Sequence, residues 1–249
     1  MNNPVSILVV VPTYNESQSV TEFFTRLDAV RQSLEAMYSI TILHIDDNSP
    51  DSTAQIVRTL GLTNFSQIIR PKKIGLGPAY IEAFTWGLAR NFDLFVEIDA
   101  DNSHQPEDLE RLLARATTEN LVLGTRWMPG GRVENWAPHR RLISRLGTKY
   151  ASMALKIPLR DITSGYRVIG RSALARVDFR DIQIHGYGFQ IEIIAKLSAL
   201  NVEIIEVPII FTERREGKSK MSWAIALEAA LMVTKWGISR LAGIGIYRR

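Results

Sequence analysis

The segment Leu94-Phe-Val-Glu-Ile-Asp-Ala-Asp-Asn-Ser-His-Gln-Pro106 constrains the fold more than any other part of the chain. Its apolar start, Leu94 to Ile98, is bounded by turn-forming residues and reads as a buried strand. Asp99-Ala100-Asp101 closes the strand, and Pro106 opens a polar helix predicted to run to Arg115. Side chains two apart in extended backbone point the same way, so Asp99 and Asp101 are expected to project together from the carboxyl end. The small Ala100 between them lets a ligand approach the backbone. In open α/β sheets ligands bind at this edge. Paired carboxylates there suit a hard divalent ion that takes its remaining ligands from phosphate oxygens. The bland alternative is a surface Asp-x-Asp turn.

The rest of the chain repeats this strand-then-helix pattern. Apolar runs predict strands at Ser6–Val11, Ile40–Asp46, Phe65–Ile69 and Leu121–Gly124. The first leads through Pro12-Thr-Tyr-Asn-Glu16 into a helix capped by Ser17 or Ser19, with Phe23, Phe24, Leu27 and Val30 inward. The second leads through Asp47-Asn-Ser-Pro-Asp-Ser-Thr53, and the third through Lys72-Lys-Ile-Gly-Leu-Gly77 into a helix ending at Arg90. Such alternation predicts an α/β fold: a mainly parallel mixed sheet with helices on both faces. With 249 residues, 46% of them hydrophobic, the chain can bury one large domain, residues 1–221, followed by an appendage, residues 222–249.

Composition excludes several chemistries. There is no Cys, hence no disulfide and no thiolate metal site. The run Val5–Val11 has no basic residue before it and is too short to span a bilayer, so a strand is expected rather than a signal peptide. Net charge +4 and an isoelectric point near 9.4 point to an anionic partner: nucleic acid, a phospholipid surface or a phosphorylated small molecule.

Polar residues mark four of the predicted strand ends: Thr13, Tyr14 and Glu16; Asp46 and Asp47; Lys72 and Lys73; Asp99 and Asp101. A parallel sheet brings them to one cleft. Carboxylates alone would repel there, whereas a divalent ion with Lys73 nearby makes the set suitable for a nucleoside diphosphate. Ala100 would let a ligand approach there and Tyr14 would pack beside the base. Glu16 and Asp47 would accept hydrogen bonds from ribose hydroxyls or base N–H groups. Singly, Glu16 reads as a helix N-terminal charge, Asp47 as a turn former and Lys73 as a loop charge. Two competing motifs fail. Gly75-Leu-Gly77-Pro-Ala-Tyr80 places Tyr80 where a dinucleotide fingerprint needs its third Gly, and Gly217-Lys-Ser219 lacks the upstream Gly of a phosphate loop. His44, His104, His139 and His185 show no ligand spacing, and His104 is expected to support the Asp pair or lie at the surface.

Positive charge concentrates in Arg126, Arg132, Arg140, Arg141, Arg145, Lys149, Lys156 and Arg160, interleaved with Trp127-Met-Pro-Gly-Gly131 and Trp136. Arg141–Lys156 reads as a helix with Arg141 and Arg145 one turn apart and Ser144 beside them. Arginines grip phosphate with two donors, and their mixture with Trp and Met suits an amphiphile carrying a phosphate head. A solvated helix face is the alternative. Nucleic acid is not expected, because no recognised binding module is present. Ser222–Arg240 is amphipathic, with Trp223, Ile225, Ala226, Ala229, Ala230, Val233, Trp236 and Ile238 interrupted by Glu228, Lys235 and Arg240. With Arg248 and Arg249 it suits either a membrane interface or packing on the domain or a partner subunit.

Pro12-Thr-Tyr-Asn-Glu16, Asp46-Asp-Asn-Ser-Pro-Asp51, Gly75-Leu-Gly77 with Ala79-Tyr80, and Asp99-Ala-Asp101 resemble, in order, the inverting GT-A fold glycosyltransferases of family 2. So do Gly124-Thr-Arg126, Asp161-Ile-Thr-Ser-Gly-Tyr-Arg167, Gly186-Tyr-Gly-Phe-Gln190, and Phe211-Thr-Glu-Arg214 with Gly217-Lys-Ser-Lys220. The later motifs are similar to those of synthases that make dolichol- or polyprenol-phosphate mannose. Ser103 stands where some relatives have a metal-contacting Gln, Asn48 replaces a Gly, and Ser164-Gly165 varies a neighbouring pair. The resemblance implies a nucleotide sugar, expected to be GDP-mannose, over Pro12, Tyr14, Glu16 and Asp47, with Mg²⁺ or Mn²⁺ on Asp99 and Asp101. It implies a polyprenyl or dolichyl phosphate held by Arg126, Arg140 and Ser144. Arg214, on a predicted strand Val207–Arg214, would reach the reacting phosphates from the Glu216–Lys220 side. Asp101, Arg126, Arg140 and Arg214 are the expected catalytic set. A UDP-glucose-type donor, another lipid acceptor and a non-catalytic nucleotide- or lipid-binding scaffold are the alternatives. The expected location is peripheral, on the cytoplasmic face of a membrane, aided by a separate membrane subunit.

Overall fold

A computed structural model describes residues 4–182, 186, 188–214 and 223–241. The chain alternates as its pattern predicts: β1 (Val5–Thr13), α1 (Val20–Ser33), β2 (Tyr38–Asp46), α2 (Thr53–Thr59), β3 (Phe65–Ile69), α3 (Leu76–Leu88) and β4 (Leu94–Glu97). It continues with α4 (Leu109–Leu113), β5 (Leu121–Thr125), β6 (Arg132–Glu134), α5 (Pro138–Leu155), β7 (Arg167–Gly170) and α6 (Arg171–Leu174). The last elements are α7 (Phe189–Ala199), β8 (Ile204–Pro208), β9 (Ile210–Thr212) and α8 (Trp223–Leu241).

Seven strands form one sheet in the order β3-β2-β1-β4-β7-β5-β8, and β6 pairs with β9 in a second. All pairings in the large sheet are parallel except those of β7, which runs antiparallel to β4 and β5. Period-2 alternation divides the apolar residues between two faces. Leu8, Val10, Leu43, Ile45, Phe95, Leu121 and Leu123 pack on one side with α3, α5, α7 and α8. Ile7, Val9, Val11, Ile42, Val96 and Val122 pack on the other with α1, α2 and α4.

Several boundaries differ from the expected ones. The predicted helix Pro106–Arg115 is a 3-10 turn, Pro106–Asp108, followed by α4. α5 starts three residues earlier than Arg141 because Pro138, with its fixed φ and missing N–H, suits the first helical turn. The expected strand Val207–Arg214 is divided. Pro208 ends β8, fully buried Ile209 crosses between sheets, and β9 pairs with β6. Ser19 rather than Ser17 stands at the N-cap position of α1, but its hydroxyl makes no capping bond and donates back to the Glu16 carbonyl. Asn48 adopts φ 59°, the left-handed conformation for which it could replace Gly. Among the described residues no helix is long and apolar enough to cross a membrane. α8 packs onto α5, with Val233 and Trp236 buried among Ala151 and Leu155.

Candidate active site

Parallel pairing puts the carboxyl ends of β1, β2 and β4 side by side, with Thr13 opposite Asp46 and Val10 opposite Glu97. A cleft of about 210 Å³ opens there. Pro12, Tyr14, Glu16, Asp47, Lys73, Asp99, Ala100, Asp101 and Arg214 all line it. These come from five separated stretches of sequence, so the cleft follows from topology and not from one local motif.

Each polar side chain is held from behind. The Asp47 carboxylate accepts from Arg70 Nη1 at 2.5 Å and from the backbone N–H groups of Gly75 and Ile74 at 3.1 and 3.3 Å. This ties the β2 end to the α3 start. Lys73 Nζ lies 3.9 Å from the Tyr14 ring centroid, joining the two sides of the cleft by a cation–π contact. Beneath them, Thr13 Oγ1 donates to Asp46 at 2.6 Å and lies 2.7 Å from His44 Nε2. Asp46 also accepts from Ser49 N–H and Oγ–H. Burial lowers the pKa of His44 to about 4, with Asp46 opposing, so the ring is neutral and donates to Thr13 through Nε2.

Asp101 is the more confined of the two cleft carboxylates. It accepts from Ser103 N–H at 2.9 Å and pairs with Arg214 Nη2 at 2.7 Å. Asp99 lies 3.7 Å from His104 Nδ1. His104 is buried, and desolvation lowers its pKa to about 4, so at neutral pH it is an uncharged neighbour of Asp99. Behind the pair, fully buried Glu97 faces Arg167 at 3.9 Å, and burial raises its pKa to about 7. Arg167 donates to the backbone carbonyls of Ser164 and Gln190, which ties β7 to the start of α7.

The basic segment meets this cleft through aromatic rings. His104 packs edge-on to Phe211, Phe211 to Trp136, and Trp136 to Trp127. The guanidinium of Arg126 lies within 6 Å of the rings of Trp127, Trp136 and Phe211, and that of Arg140 lies 4.2 Å over Trp136. Arg126 is only 8% exposed, and it grips Asp161 with two donors at 2.6 and 2.7 Å and Thr163 at 3.0 Å. Arg140 is more open and donates to Glu213 at 2.6 Å. Consecutive residues therefore clasp the two halves: Glu213 holds Arg140 of α5, and Arg214 holds Asp101. Ser144 lies half-buried one turn beyond Arg140 on the same helix.

Sequence reasoning missed Arg70, Asp161 and Glu213, the partners that fix Asp47, Arg126 and Arg140. An Arg directly after a strand and an Asp opening a motif carry no signal of whom they pair with. The Glu216–Lys220 segment, Tyr187, His185, Arg248 and Arg249 lie outside the described residues, as do the side chains of Trp223, Ile225, Ala226, Glu228 and Arg240.

Comparison with known proteins agrees with this architecture. The model of "Glycosyl transferase family 2" matches residues 8–178. The chain is 43% identical over 236 residues to an undecaprenyl-phosphate mannosyltransferase of Micrococcus luteus, covering 94% of each protein. It is 39% identical over 235 residues to a polyprenol monophosphomannose synthase of Mycolicibacterium smegmatis, covering 93% of this chain and 86% of that protein. With a dolichol-phosphate mannosyltransferase of Pyrococcus furiosus it shares 33% identity over 219 residues, 87% of this chain and 59% of that protein. Among solved structures, glucosyl-3-phosphoglycerate synthase from Mycobacterium tuberculosis, in complex with Mn²⁺, UDP and phosphoglyceric acid, superposes with a TM-score of 0.67 at 17% identity. That match covers 96% of this chain and 79% of the other and shows the shared fold. With its family model, its relatives and its sheet in agreement, this chain belongs to glycosyl transferase family 2 and has the GT-A fold.

Proposed function

We propose that this enzyme transfers mannose from GDP-mannose to the phosphate of a polyprenyl phosphate, inverting the anomeric carbon. The observation that carries the reading is the convergence of Tyr14, Glu16, Asp47, Lys73, Asp99, Asp101 and Arg214 on one cleft, joined by the Glu213-Arg214 clasp to the arginines of α5. The names of the three relatives described above give the same sugar and the same class of lipid acceptor.

In this reading the nucleotide lies over Pro12 and Tyr14, with Glu16 and Asp47 accepting from its ribose or base. Arg70 and the Gly75 amide keep Asp47 fixed, so binding needs little reordering there. Asp99 and Asp101 fit a divalent ion, Mg²⁺ or Mn²⁺, on the chemistry of their hard oxygen donors. Among the described residues no cluster of three or more His, Asp or Glu groups is found, so Asp99 and Asp101 would hold the ion with open positions left for the donor's phosphate oxygens. When bound, such an ion neutralises charge on the departing diphosphate. The cation beside Asp101 in this structure is Arg214, which in the complex turns to the reacting phosphates.

Arg140 and Ser144 meet the acceptor phosphate, which replaces Glu213 as the partner of Arg140. Arg126 completes the acceptor set, with Asp161 and Thr163 holding its guanidinium in place beside Trp136 and Phe211. No side chain is assigned as general base. A phosphomonoester has its second pKa at about 6 and is already a nucleophilic anion at neutral pH. The chain's residues bring two anions together and exclude water. Peripheral attachment to the cytoplasmic face of a membrane, a functional division near residue 221 and a separate membrane subunit belong to the same proposal.

The test is incubation of the purified chain with labelled GDP-mannose or UDP-glucose, polyprenyl phosphate and Mg²⁺, followed by extraction into organic solvent. Labelled lipid from GDP-mannose alone supports the reading. Product from UDP-glucose instead overturns the donor, and no lipid product from either donor overturns the activity.

A further inference from the structure

α5 carries a surface that neither the cleft nor the core uses. Leu142, Ile143, Leu146, Tyr150 and Met153 are exposed, Leu142, Leu146 and Met153 by 59%, 56% and 68%. At 3.6 residues per turn these five fall within an arc of roughly 100° on one side of the helix. Thr148, Ala151 and Leu155 are buried on another side. Arg141, Arg145 and Lys149, each one turn apart, form the adjoining stripe. That stripe opens into a bay of about 800 Å³ lined by Trp127, Arg145, Lys149, Met153, Lys156 and Arg160 among others, with the Arg145 guanidinium 4.8 Å from the Trp127 ring centroid. α8 extends the ridge: Leu231 and Ile238 are exposed, and Tyr150 Oη is hydrogen-bonded to Thr234 Oγ1.

We propose that this face of α5 docks on an anionic phospholipid bilayer, with the apolar ridge entering the acyl boundary and the bay receiving lipid phosphates. The inference deepens the reading of the chain as a transferase that uses a lipid-borne phosphate, and rests on it. Charge selects the occupant. No Asp or Glu occurs from Asn135 to Arg160, while Arg140, Arg141, Arg145, Lys149, Lys156 and Arg160 do. A second copy would bring the same cations against themselves, which like-charge repulsion opposes. Nucleic acid would satisfy the cations and leave the apolar ridge in water. A bilayer with anionic headgroups satisfies both parts at once. Docked this way, Arg140 and Ser144 lie on the same helix that touches the lipid, so a polyprenyl phosphate would meet them without leaving the bilayer.

The absence of native Cys makes a single-site test clean. Full-length Met153→Cys, labelled with an environment-sensitive fluorophore, is mixed with phosphatidylcholine vesicles containing or lacking about one-third phosphatidylglycerol, without nucleotide or polyprenyl phosphate. Expected are a several-fold emission rise with anionic vesicles only and quenching by doxyl-labelled lipid. Glu35→Cys, carrying the same label across the sheet just beyond α1, should not respond. Arg145→Gln/Lys149→Gln/Lys156→Gln should weaken vesicle binding about tenfold or more and flatten its salt dependence. No response at residue 153, equal binding by the triple variant, or a response that grows with protein concentration without vesicles would each overturn the proposal. Transfer to a short, water-soluble polyprenyl phosphate, measured on the same preparations, separates the two readings. Transfer without docking refutes only the surface, and docking without transfer refutes only the activity.

Discussion

Buried titratable groups set how single residues respond to pH. His44 is neutral because burial lowers its pKa from 6.5 to about 4. Between those values the unfolded chain binds a proton that the folded chain does not, so the stability present above pH 6.5 is lost as pH falls toward 4. At 1.36 kcal/mol per pKa unit, this loss reaches about 3 kcal/mol. Urea unfolding at pH 7 and pH 4.5 should show His44→Gln losing about 2–3 kcal/mol less on acidification than the parent; equal losses would contradict the assignment. Asp101 makes a different prediction. Asp101→Asn keeps the shape but removes the charge facing Arg214, and kcat for transfer should fall about a hundredfold or more. If initial-rate measurements show only a change in KM, Asp101 serves binding alone.

Helices and strands obey packing limits that composition does not reveal. In α3, a Cβ on Gly87 would lie 2.5 Å from both Leu8 and Phe95, side chains with no exposed surface. Gly→Ala in a helix gains up to about 1 kcal/mol of propensity. Overpacking a full core costs about 1–3 kcal/mol. With neither neighbour able to retreat into solvent, overpacking wins, and Gly87→Ala should lower the urea midpoint with an unchanged slope. This close approach shows why sequence reading succeeds at some elements and fails at others. β1, β2, β3, β4 and β5 are apolar runs between turn formers and were legible within a few residues. β7 was not: it spans only Arg167–Gly170, starts with an Arg that sequence patterns assign to the surface, and runs against its neighbours. β6 is three residues long, too short for periodicity to register. β9 lies inside the single strand expected over Val207–Arg214, because the crossover falls at Ile209, a buried apolar residue and not a turn former. The cleft was legible because it lies where long parallel strands end. Asp161 was not linked to Arg126, because their pairing depends on a loop 35 residues away.

At the scale of the whole molecule the question is whether α8 is a detachable anchor or part of the folded body. Its exposed Leu231 and Ile238 favour a surface role, yet Val233 and Trp236 are 2% and 4% exposed and lie in the core cluster that contains Ala151 and Leu155 of α5. Gly237 brings the two helices together: a Cβ there would sit 2.9 Å from the Ala154 carbonyl oxygen. One helix can serve both ends if one side locks α5 in place while the other continues its apolar ridge. Trp236→Ala separates the alternatives. As part of the core, Trp236 should contribute about 3–5 kcal/mol, which for a chain of this size lowers Tm by roughly 6–20 °C without any membrane present. A detachable anchor would leave Tm unchanged in solution and lose only vesicle binding. Scanning calorimetry of the vesicle-free protein decides it. A large drop means that α5 depends on α8 for its support, so the surface proposed to meet the bilayer and the arginines proposed to meet the lipid phosphate are held by the same packing.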